Sequence, residues 1–293
     1  MNQSAGLDAE MTQQAFDALA NMAHRNWGLV LVAEKRAMVA SRLRHRVRAR
    51  GLSGFDAYSQ LVLSDEGADE VPHMISALTT NVSHFFREPH HFEALSAALA
   101  PQLQAVLEKG TRMRIWSAGC SNGQEPYSIA MHLLDANPKL ANADFKILAT
   151  DIDPKVIRFA RTGEYEDREV NGLPDGFRER FTTPIDGGVS MSKVLRDIIS
   201  FRPLNLLEPW PMRGQFDAIF CRNVVIYFDV ETQDRLWPRF NEKLKQEGVL
   251  FLGHSERMQA TERNGFKTAG ATAFLKAGCP EKPILQEEEH GAS

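Results

Sequence analysis

The first part of the chain has the spacing of amphipathic helices. Over Met11–Leu78, apolar residues recur every three or four positions, which predicts a small all-helical domain that we take to span residues 11–87. A second stripe with the same period predicts a helix over Glu88–Glu108. Gly110 would end it, because glycine readily adopts the left-handed conformation found at helix C-termini. This linker helix, residues 88–110, would bridge the two halves of the protein.

After Gly110 the pattern changes to short apolar runs separated by helical stretches. Runs such as RMRIWSAG and FDAIFCRN alternate with segments such as PKVIRFARTG, which predicts a parallel α/β sheet domain over residues 111–279. Over residues 163–204 the alternation lapses into a charged stretch that is too long for a plain loop, and we expect an insertion with its own small structure. The acidic tail, residues 280–293, lacks hydrophobic periodicity and is expected to be disordered.

Composition places the chain in a broad class. Its 293 residues are 43% hydrophobic and 25% charged, as in ordinary globular proteins. No apolar run approaches the ~20 residues of a membrane span, and the first residues lack a signal-peptide pattern, so we expect a cytoplasmic protein. Cys120, Cys221 and Cys279 form no CxxC pair, which argues against a disulfide framework and against a zinc site.

Charge is unevenly distributed along the chain. The formal net charge is 34 − 38 = −4, yet residues 35–50 contain seven basic side chains and no acidic one. On a helix, the apolar residues of this segment would face the core and its arginines would form a neighbouring cationic face. From the residues alone, this face is either a solvated surface or a site for nucleic acid. The arginines concerned are Arg42, Arg44, Arg46 and Arg48.

A small-residue loop follows the first predicted strand, over Ile115–Pro126. Gly119 and Gly123 can adopt positive φ and let a ligand approach the backbone. The loop contains neither GxGxxG nor GxxxxGK[ST], so the fingerprints of dinucleotide and P-loop sites are missing. Glu125 instead occupies the place where a pyrophosphate would rest. Because an acid repels phosphate, this loop favours a cationic or amine-bearing ligand.

Polar residues end the next two predicted strands. Asp151 ends FKILATD, where doubly wound folds place an acid that accepts hydrogen bonds from ribose hydroxyls, so we infer an adenosine-containing ligand. Alternatively, Asp151 and Asp153 cap the following helix, a role that suits Asp153 better. Arg222 and Asn223 end FDAIFCRN, at the sheet edge where ligands bind, unless Asn223 is a helix cap.

Six blocks of this sequence resemble the CheR family of bacterial chemotaxis methyltransferases. In order, they are TTNVSHFFRE, WSAGCSNGQEPYSIA, ATDID, NLLE, FDAIFCRNVVIYF and LFLGHSE. The resemblance implies an α/β fold. An all-α domain would come first, followed by the sheet domain of a class I S-adenosylmethionine-dependent methyltransferase (Rossmann-like). A small antiparallel β-subdomain would be inserted in the sheet domain. The resemblance also implies methylation of glutamate side chains on the cytoplasmic helices of chemoreceptors, and it favours a monomer.

The family motifs also imply site residues. Two of them, Arg87 and Tyr227, match residues beside the transferred methyl group and are our catalytic candidates. Ser83 stands where relatives have threonine, and it keeps the hydroxyl. The implied contacts to S-adenosylmethionine are Asn81, Ser83, Arg87, Glu125, Asp151, Asn205, Leu206, Arg222 and Asn223, to which the glycine loop adds Gly119.

This chemistry agrees with the residues present. A glutamate carboxylate, with a pKa of about 4.3, is already an ionised nucleophile at neutral pH and needs no general base.

The resemblance adds a third possible role for the cationic face, besides a solvated surface or a nucleic-acid site: it could dock acidic receptor helices. Two other functions compete with this one: an adaptor that keeps the fold without turnover, and a nicotinamide-dependent oxidoreductase, for which the phosphate loop is missing. Neither His90-His91 nor His254-Ser255-Glu256 has metal-ligand spacing, so we expect capping or surface roles and no metal.

Overall fold

The computed structural model describes residues 10–270 and 272–278. The first described part is a bundle of four α-helices: α1 (Gln13–Trp27), α2 (Arg36–Ala49), α3 (Phe55–Leu63) and α4 (Val71–Leu78). Their apolar stripes enclose one core around the buried Leu19, Leu43 and Tyr58. Short helices are marginal in isolation, so this shared burial is what stabilises them. The tail at 280–293 and Cys279 lie outside the described residues, and the predictions made for them remain predictions.

The linker helix α5 runs over His90–Lys109. Gly110 ends it in the left-handed conformation (φ 63°), as predicted. The helix begins two residues after the predicted start because Glu88 has a φ of 57°, which a right-handed helix excludes. Within residues 10–270 and 272–278, none of the helices combines the length and apolar character that crossing a membrane requires.

The main sheet contains seven of the strands that follow. Its order is β6-β2-β1-β7-β8-β10-β9, and β10 runs antiparallel to both neighbours. The fold class predicted above is confirmed. The strands, including three of a smaller sheet, are β1 (Met113–Ala118), β2 (Phe145–Asp151), β3 (Glu164–Glu166), β4 (Thr182–Ile185), β5 (Gly188–Met191), β6 (Ile199–Pro203), β7 (Phe216–Cys221), β8 (Leu244–Leu252), β9 (Phe266–Thr268) and β10 (Ala273–Lys276).

Both faces of this sheet are covered, which explains the continuous apolar runs of its central strands. Along β7, Ala218 and Phe220 join one core, whereas Ile219 and Cys221 join the other. The first core also contains residues of α5, and the second contains residues of α10. The remaining helices are α6 (Gln124–Ala136), α7 (Pro154–Thr162), α8 (Phe177–Phe181), α9 (Lys193–Ile198) and α10 (Val230–Lys243).

The predicted insertion contains the smaller sheet, whose order is β3-β5-β4 with antiparallel pairing. The boundary at residue 204 needs correction, because β6 pairs in parallel with β2 and belongs to the main sheet. As an edge strand, β6 buries only alternate residues, Ile199 and Phe201. It therefore lacks the continuous apolar run that marks the central strands, and the period-2 signal is lost among the charged residues around it.

Helix α2 buries its apolar stripe as predicted, but part of its cationic face is used inside the domain. Arg46 donates two hydrogen bonds to Glu70, at 2.8 and 2.6 Å, and the Glu70 side chain is completely buried. Tyr58 donates a third bond to this carboxylate at 3.0 Å. Arg42 donates to the Leu78 carbonyl oxygen at 2.6 Å. The expected docking face of four arginines is thus incomplete, because Arg42 and Arg46 hold α4.

The buried pair predicts a specific stability cost. We expect Glu70→Gln to lower the free energy of unfolding by about 3 kcal/mol, because the Arg46 charge loses its partner. Arg48→Gln is the matched control: it removes an exposed charge from the same helix and should change stability by no more than about 0.5 kcal/mol. Chemical denaturation measures both. Equal effects of the two substitutions would show that the pair does not hold the bundle.

Candidate active site

A deep cavity opens at the carboxyl ends of β1, β2 and β7. It encloses about 1160 Å³ including its open mouth. Both halves of the protein form its wall: Trp27 and Ile75 come from the helical domain, and the glycine loop comes from the sheet domain. All of the residues predicted for cofactor binding and catalysis line this one cavity: Asn81, Ser83, Arg87, Gly119, Glu125, Asp151, Asn205, Leu206, Arg222, Asn223 and Tyr227.

The glycine loop brings bare backbone to the cavity wall. Gly119 has a φ of 90°, and its N–H donates to the Thr150 carbonyl oxygen at 2.7 Å. A Cβ at this position would lie 2.2 Å from Val224 Cγ2, so both the backbone angle and the space require glycine. The next turn is held by Ser121, whose N–H donates to Asp151 Oδ2 at 2.8 Å.

The two aspartates after β2 have separate roles. Asp153 is the N-cap of α7, where its carboxylate accepts from Lys155 N at 2.8 Å, so the capping role predicted for it is confirmed. Asp151 lines the cavity and accepts hydrogen bonds from the N–H groups of Ser121 and Asp153. Its burial raises the pKa of the Asp151 carboxyl to about 6, because a low-dielectric environment disfavours the charged form.

Asp153 also ties the two halves of the protein together. It accepts hydrogen bonds from Ser76 Oγ on α4 and from Asn81 Nδ2 at 2.9 Å. Asn81 in turn accepts a bond from Ser121 Oγ, at its carbonyl oxygen, at 2.9 Å. The segment around Asn81, which joins the helical domain to the linker helix, is therefore fixed over the glycine loop.

Glu125 and Arg222 form the charged wall of the cavity. Glu125 accepts from Ser117 Oγ at 2.7 Å and from Arg222 Nη1 at 3.2 Å. Burial raises the pKa of the Glu125 carboxyl, although Arg222 acts in the opposite direction. Arg222 Nη2 also contacts Glu88 Oε2 at 3.2 Å and donates to the Arg87 carbonyl oxygen at 2.6 Å.

The backbone around Arg87 is fixed in an unusual conformation. Phe86 and Glu88 both have positive φ angles, 55° and 57°, which cost free energy for residues other than glycine. The Phe86 N–H donates to Ser128 Oγ at 2.9 Å, and Arg222 holds the Arg87 carbonyl. By contrast, the Arg87 guanidinium has only a 3.4 Å bond to the Val82 carbonyl oxygen among the described residues. It is therefore available to an anion in the cavity.

The remaining predicted residues include Asn205, Asn223 and Tyr227, which also line the cavity. Asn205 uses its side chain locally: its Oδ1 accepts from Leu207 N at 3.0 Å, and its Nδ2 donates to the Asn26 carbonyl oxygen at 2.8 Å. Asn223 has a φ of 59°. It does not cap α10, which begins at the Asp229 cap. The Tyr227 carbonyl oxygen accepts from Val30 N at 2.9 Å, which connects its turn to the helical domain.

Two carboxylates of the site were missed. Glu88 had no predicted role, yet it lies beside Arg222, and the Arg222 charge and the His254 hydrogen bond outweigh its burial and lower its pKa to about 2. For Glu256, the expected surface role is wrong, because the residue is only 2% exposed, whereas the expected capping role is confirmed, because its carboxylate accepts backbone hydrogen bonds from the loop after β7. The sequence signal was available, because Glu256 belongs to the LFLGHSE block, but spacing alone gave it no partner.

A third feature was also unforeseen. Glu88, His90 and His91 each offer an atom within 4.8 Å of the others, so the chain does hold a group of possible metal ligands. Arg222 Nη2 lies 3.2 Å from the Glu88 oxygen that faces His91. This guanidinium supplies the positive charge that a metal ion would otherwise bring.

A seven-stranded sheet with β10 antiparallel and a cavity beside the glycine loop form the domain that the matching family model describes as a SAM-binding methyltransferase domain. Sequence comparison also identifies the family. The family model "CheR methyltransferase, SAM binding domain" matches residues 81–275, and "CheR methyltransferase, all-alpha domain" matches residues 14–79. The chain belongs to the CheR family of chemotaxis methyltransferases, which confirms the resemblance drawn from its motifs.

Curated relatives match over nearly their whole length. A probable chemotaxis protein methyltransferase of Rhizobium etli is 42% identical over 257 residues, which are 86% of this chain and 96% of the relative. The chemotaxis protein methyltransferase of Escherichia coli is 39% identical over 264 residues, 88% of this chain and 89% of the relative. That of Borreliella burgdorferi is 34% identical over 261 residues, 87% and 92% of the two chains.

The cavity fits S-adenosylmethionine by its chemistry. Glu125, whose side chain is 12% exposed, and the buried Asp151 are carboxylates that suit the positive charges and hydroxyls of this cofactor. Arg222 Nε is buried without a hydrogen-bond partner among the described residues, so one donor in the wall is unused. A Cβ at Gly119 would collide with Val224, another residue of the cavity wall, so glycine lets the loop and Val224 pack together there.

The raised pKa of Asp151 predicts a pH dependence. Ionised Asp151 offers both oxygens as acceptors to hydroxyl donors, whereas protonation turns one of them into a donor, so affinity should fall as pH drops through about 6. We expect the dissociation constant for S-adenosylhomocysteine, measured by calorimetry, to rise toward tenfold per pH unit below that value. Asp151→Asn is the control, since it should bind weakly with a flatter profile. Equal wild-type affinity at pH 5 and pH 7 would contradict this assignment.

Proposed function

We propose that this protein transfers the methyl group of S-adenosylmethionine to glutamate side chains on the cytoplasmic helices of chemoreceptors, forming methyl esters. The observation that carries the proposal is Arg87, a guanidinium at the cavity wall whose one hydrogen bond to the described residues, to the Val82 carbonyl oxygen, is 3.4 Å long. It belongs to a chain of the CheR family. The relatives named as chemotaxis protein methyltransferases support chemoreceptors as the substrate class.

The cavity supplies what a carboxylate nucleophile needs. When bound, the cofactor supplies an electrophilic methyl carbon on a sulfonium. A substrate glutamate, already ionised, bonds to this carbon through one oxygen as the carbon–sulfur bond breaks, so no proton has to be removed. Arg87 would hold the carboxylate by charge-assisted hydrogen bonds, and the Tyr227 hydroxyl would donate to it or confine it. Positioning of this kind accounts for much of the rate gain in transfer between bound groups.

The two-domain wall contributes a further effect. Residues 79–87 and the helical domain close one side of the cavity, where Trp27 and Ile75 face it. A site closed in this way excludes water from the reacting groups, which strengthens their electrostatic contacts. The substrate carboxylate, and not water, would then accept the methyl group.

Label transfer tests the function directly. The protein, methyl-labelled S-adenosylmethionine and chemoreceptor cytoplasmic fragments should give labelled receptor, and the label should leave as methanol in base, as an ester requires. Fragments with Glu→Gln substitutions at the methylated positions are the control, because an amide is a poor nucleophile. Cofactor binding without label transfer to any fragment would favour the adaptor function instead.

Arg87 should separate turnover from cofactor binding. We expect Arg87→Ala to lower kcat about a hundredfold or more, because the carboxylate loses its charged partner, with a much smaller change in S-adenosylhomocysteine affinity. Arg87→Lys should recover only part of the rate, since an ammonium cannot form a two-pronged contact. Wild-type turnover in Arg87→Ala would remove this residue from the mechanism.

We propose that receptor helices dock on α2 at Arg44 and Arg48, because Arg42 and Arg46 form hydrogen bonds within the helical domain. Arg48 is exposed, and Arg44 lies over the Phe55 ring at 5.9 Å. We expect Arg48→Glu to raise KM for receptor fragments several-fold at low salt, with kcat unchanged, and the effect should shrink at high salt because charges are screened. Arg235→Glu on α10, also exposed, is the matched control. Equal KM for the two variants would exclude Arg48 from docking.

A further inference from the structure

Glu256 is a buried carboxylate whose partners are all backbone amides. It lies just after β8, with 2% of the residue exposed. Its Oε2 accepts from Gly253 N at 2.5 Å and from Asn223 N at 2.9 Å. Its Oε1 accepts from Val224 N at 2.8 Å and from Ile226 N at 3.3 Å. No described cationic side chain pairs with it, so these four N–H groups alone offset the cost of burying the charge.

Three of these amides belong to the turn that carries the cavity residues Asn223 and Tyr227. The turn starts with Asn223 at positive φ and continues into a single 3₁₀ turn over Val225–Tyr227. At the start of such a turn the N–H groups have no partner within the segment. No side chain of the turn itself caps it, so Glu256 does so from a distant part of the chain.

The fit between Glu256 and the turn leaves little freedom. A Cβ on Gly253 would lie 2.6 Å from Asn223 Nδ2 and 2.9 Å from Glu256 Oε2. The Asn223 side chain is therefore packed between the end of β8 and the cavity. Small changes in this packing would move the Asn223 amide, and the position of the following Tyr227 depends on the same turn.

We propose that Glu256 is a positioning residue for methyl transfer: by accepting the amides of Asn223, Val224 and Ile226 it sets the Asn223 side chain toward the cofactor and the Tyr227 ring toward the methyl acceptor. The proposal rests on the cavity being the cofactor site. It does not depend on which protein is methylated, because cofactor affinity is measured without a receptor.

Glu256→Gln tests the proposal because it keeps the size of the side chain but leaves one oxygen to serve both pairs of amides. We expect S-adenosylhomocysteine affinity to fall about tenfold and kcat to fall about tenfold to a hundredfold, with the protein folded. In hydrogen exchange, the peptide covering residues 222–229 should lose protection.

Asp217→Asn is the matched control. Asp217 is equally buried and lies at the opposite end of β7, where it binds Arg114 N and Lys245 at 2.8 Å. It should lower thermal stability at least as much as Glu256→Gln, while cofactor affinity and kcat stay at wild-type values. A purely structural role for Glu256 predicts the same pattern for both variants, and that result would overturn the proposal.

A double-mutant cycle identifies the route of the effect. If Glu256 acts through Asn223, then Glu256→Gln should cost little further affinity in an Asn223→Ala background. Its effect should be fully additive with that of Ser83→Ala, which changes a cavity residue in the segment before α5. Additivity with Asn223→Ala would contradict the proposal. Should Glu256→Gln not fold, Gly253→Ala disturbs the same contacts and must give the same loss of affinity and turnover. Wild-type behaviour of Gly253→Ala would then contradict it.

Discussion

The guanidinium of Arg222 joins three segments that are distant in the sequence. From the end of β7 it reaches Glu125 at the start of α6, Glu88 in the linker, and the carbonyl oxygen of Arg87. Its side chain is 3% exposed, so these contacts are made in a low-dielectric environment where a missing partner is costly. Arg222 therefore fixes the backbone of Arg87, which lines the cavity.

The same cation determines the electrostatics of the cofactor site. Dinucleotide-binding relatives of this sheet arrangement hold phosphates with glycines and a helix N-terminus. Here the corresponding position carries Glu125, and Asp151 lies at the end of β2. Two buried carboxylates would repel each other and any anion, but Arg222 balances the first and backbone amides satisfy the second. The result is a cavity suited to a positively charged nucleoside.

Much of this arrangement could be predicted from the sequence, because it depends on local signals. The buried central strands, the glycine loop and the Asp153 cap all have short-range patterns of their own. The rest depends on contacts between distant residues. Arg46 looked like an exposed docking residue because its partner Glu70 is distant in the sequence, at the N-cap of α4. Strand β6 was missed because an edge strand buries only alternate residues. The spacing of residues around Glu256 did not indicate its role, since three of its four amide partners are 30 to 33 residues away.

The most direct test of the role assigned to Arg222 is calorimetric titration of Arg222→Lys with S-adenosylhomocysteine. Lysine keeps the positive charge but cannot contact Glu125, Glu88 and the Arg87 carbonyl together. The variant should remain folded and bind the ligand at least about tenfold more weakly than the wild type. Wild-type affinity in a folded Arg222→Lys protein would contradict the view that this guanidinium organises the site.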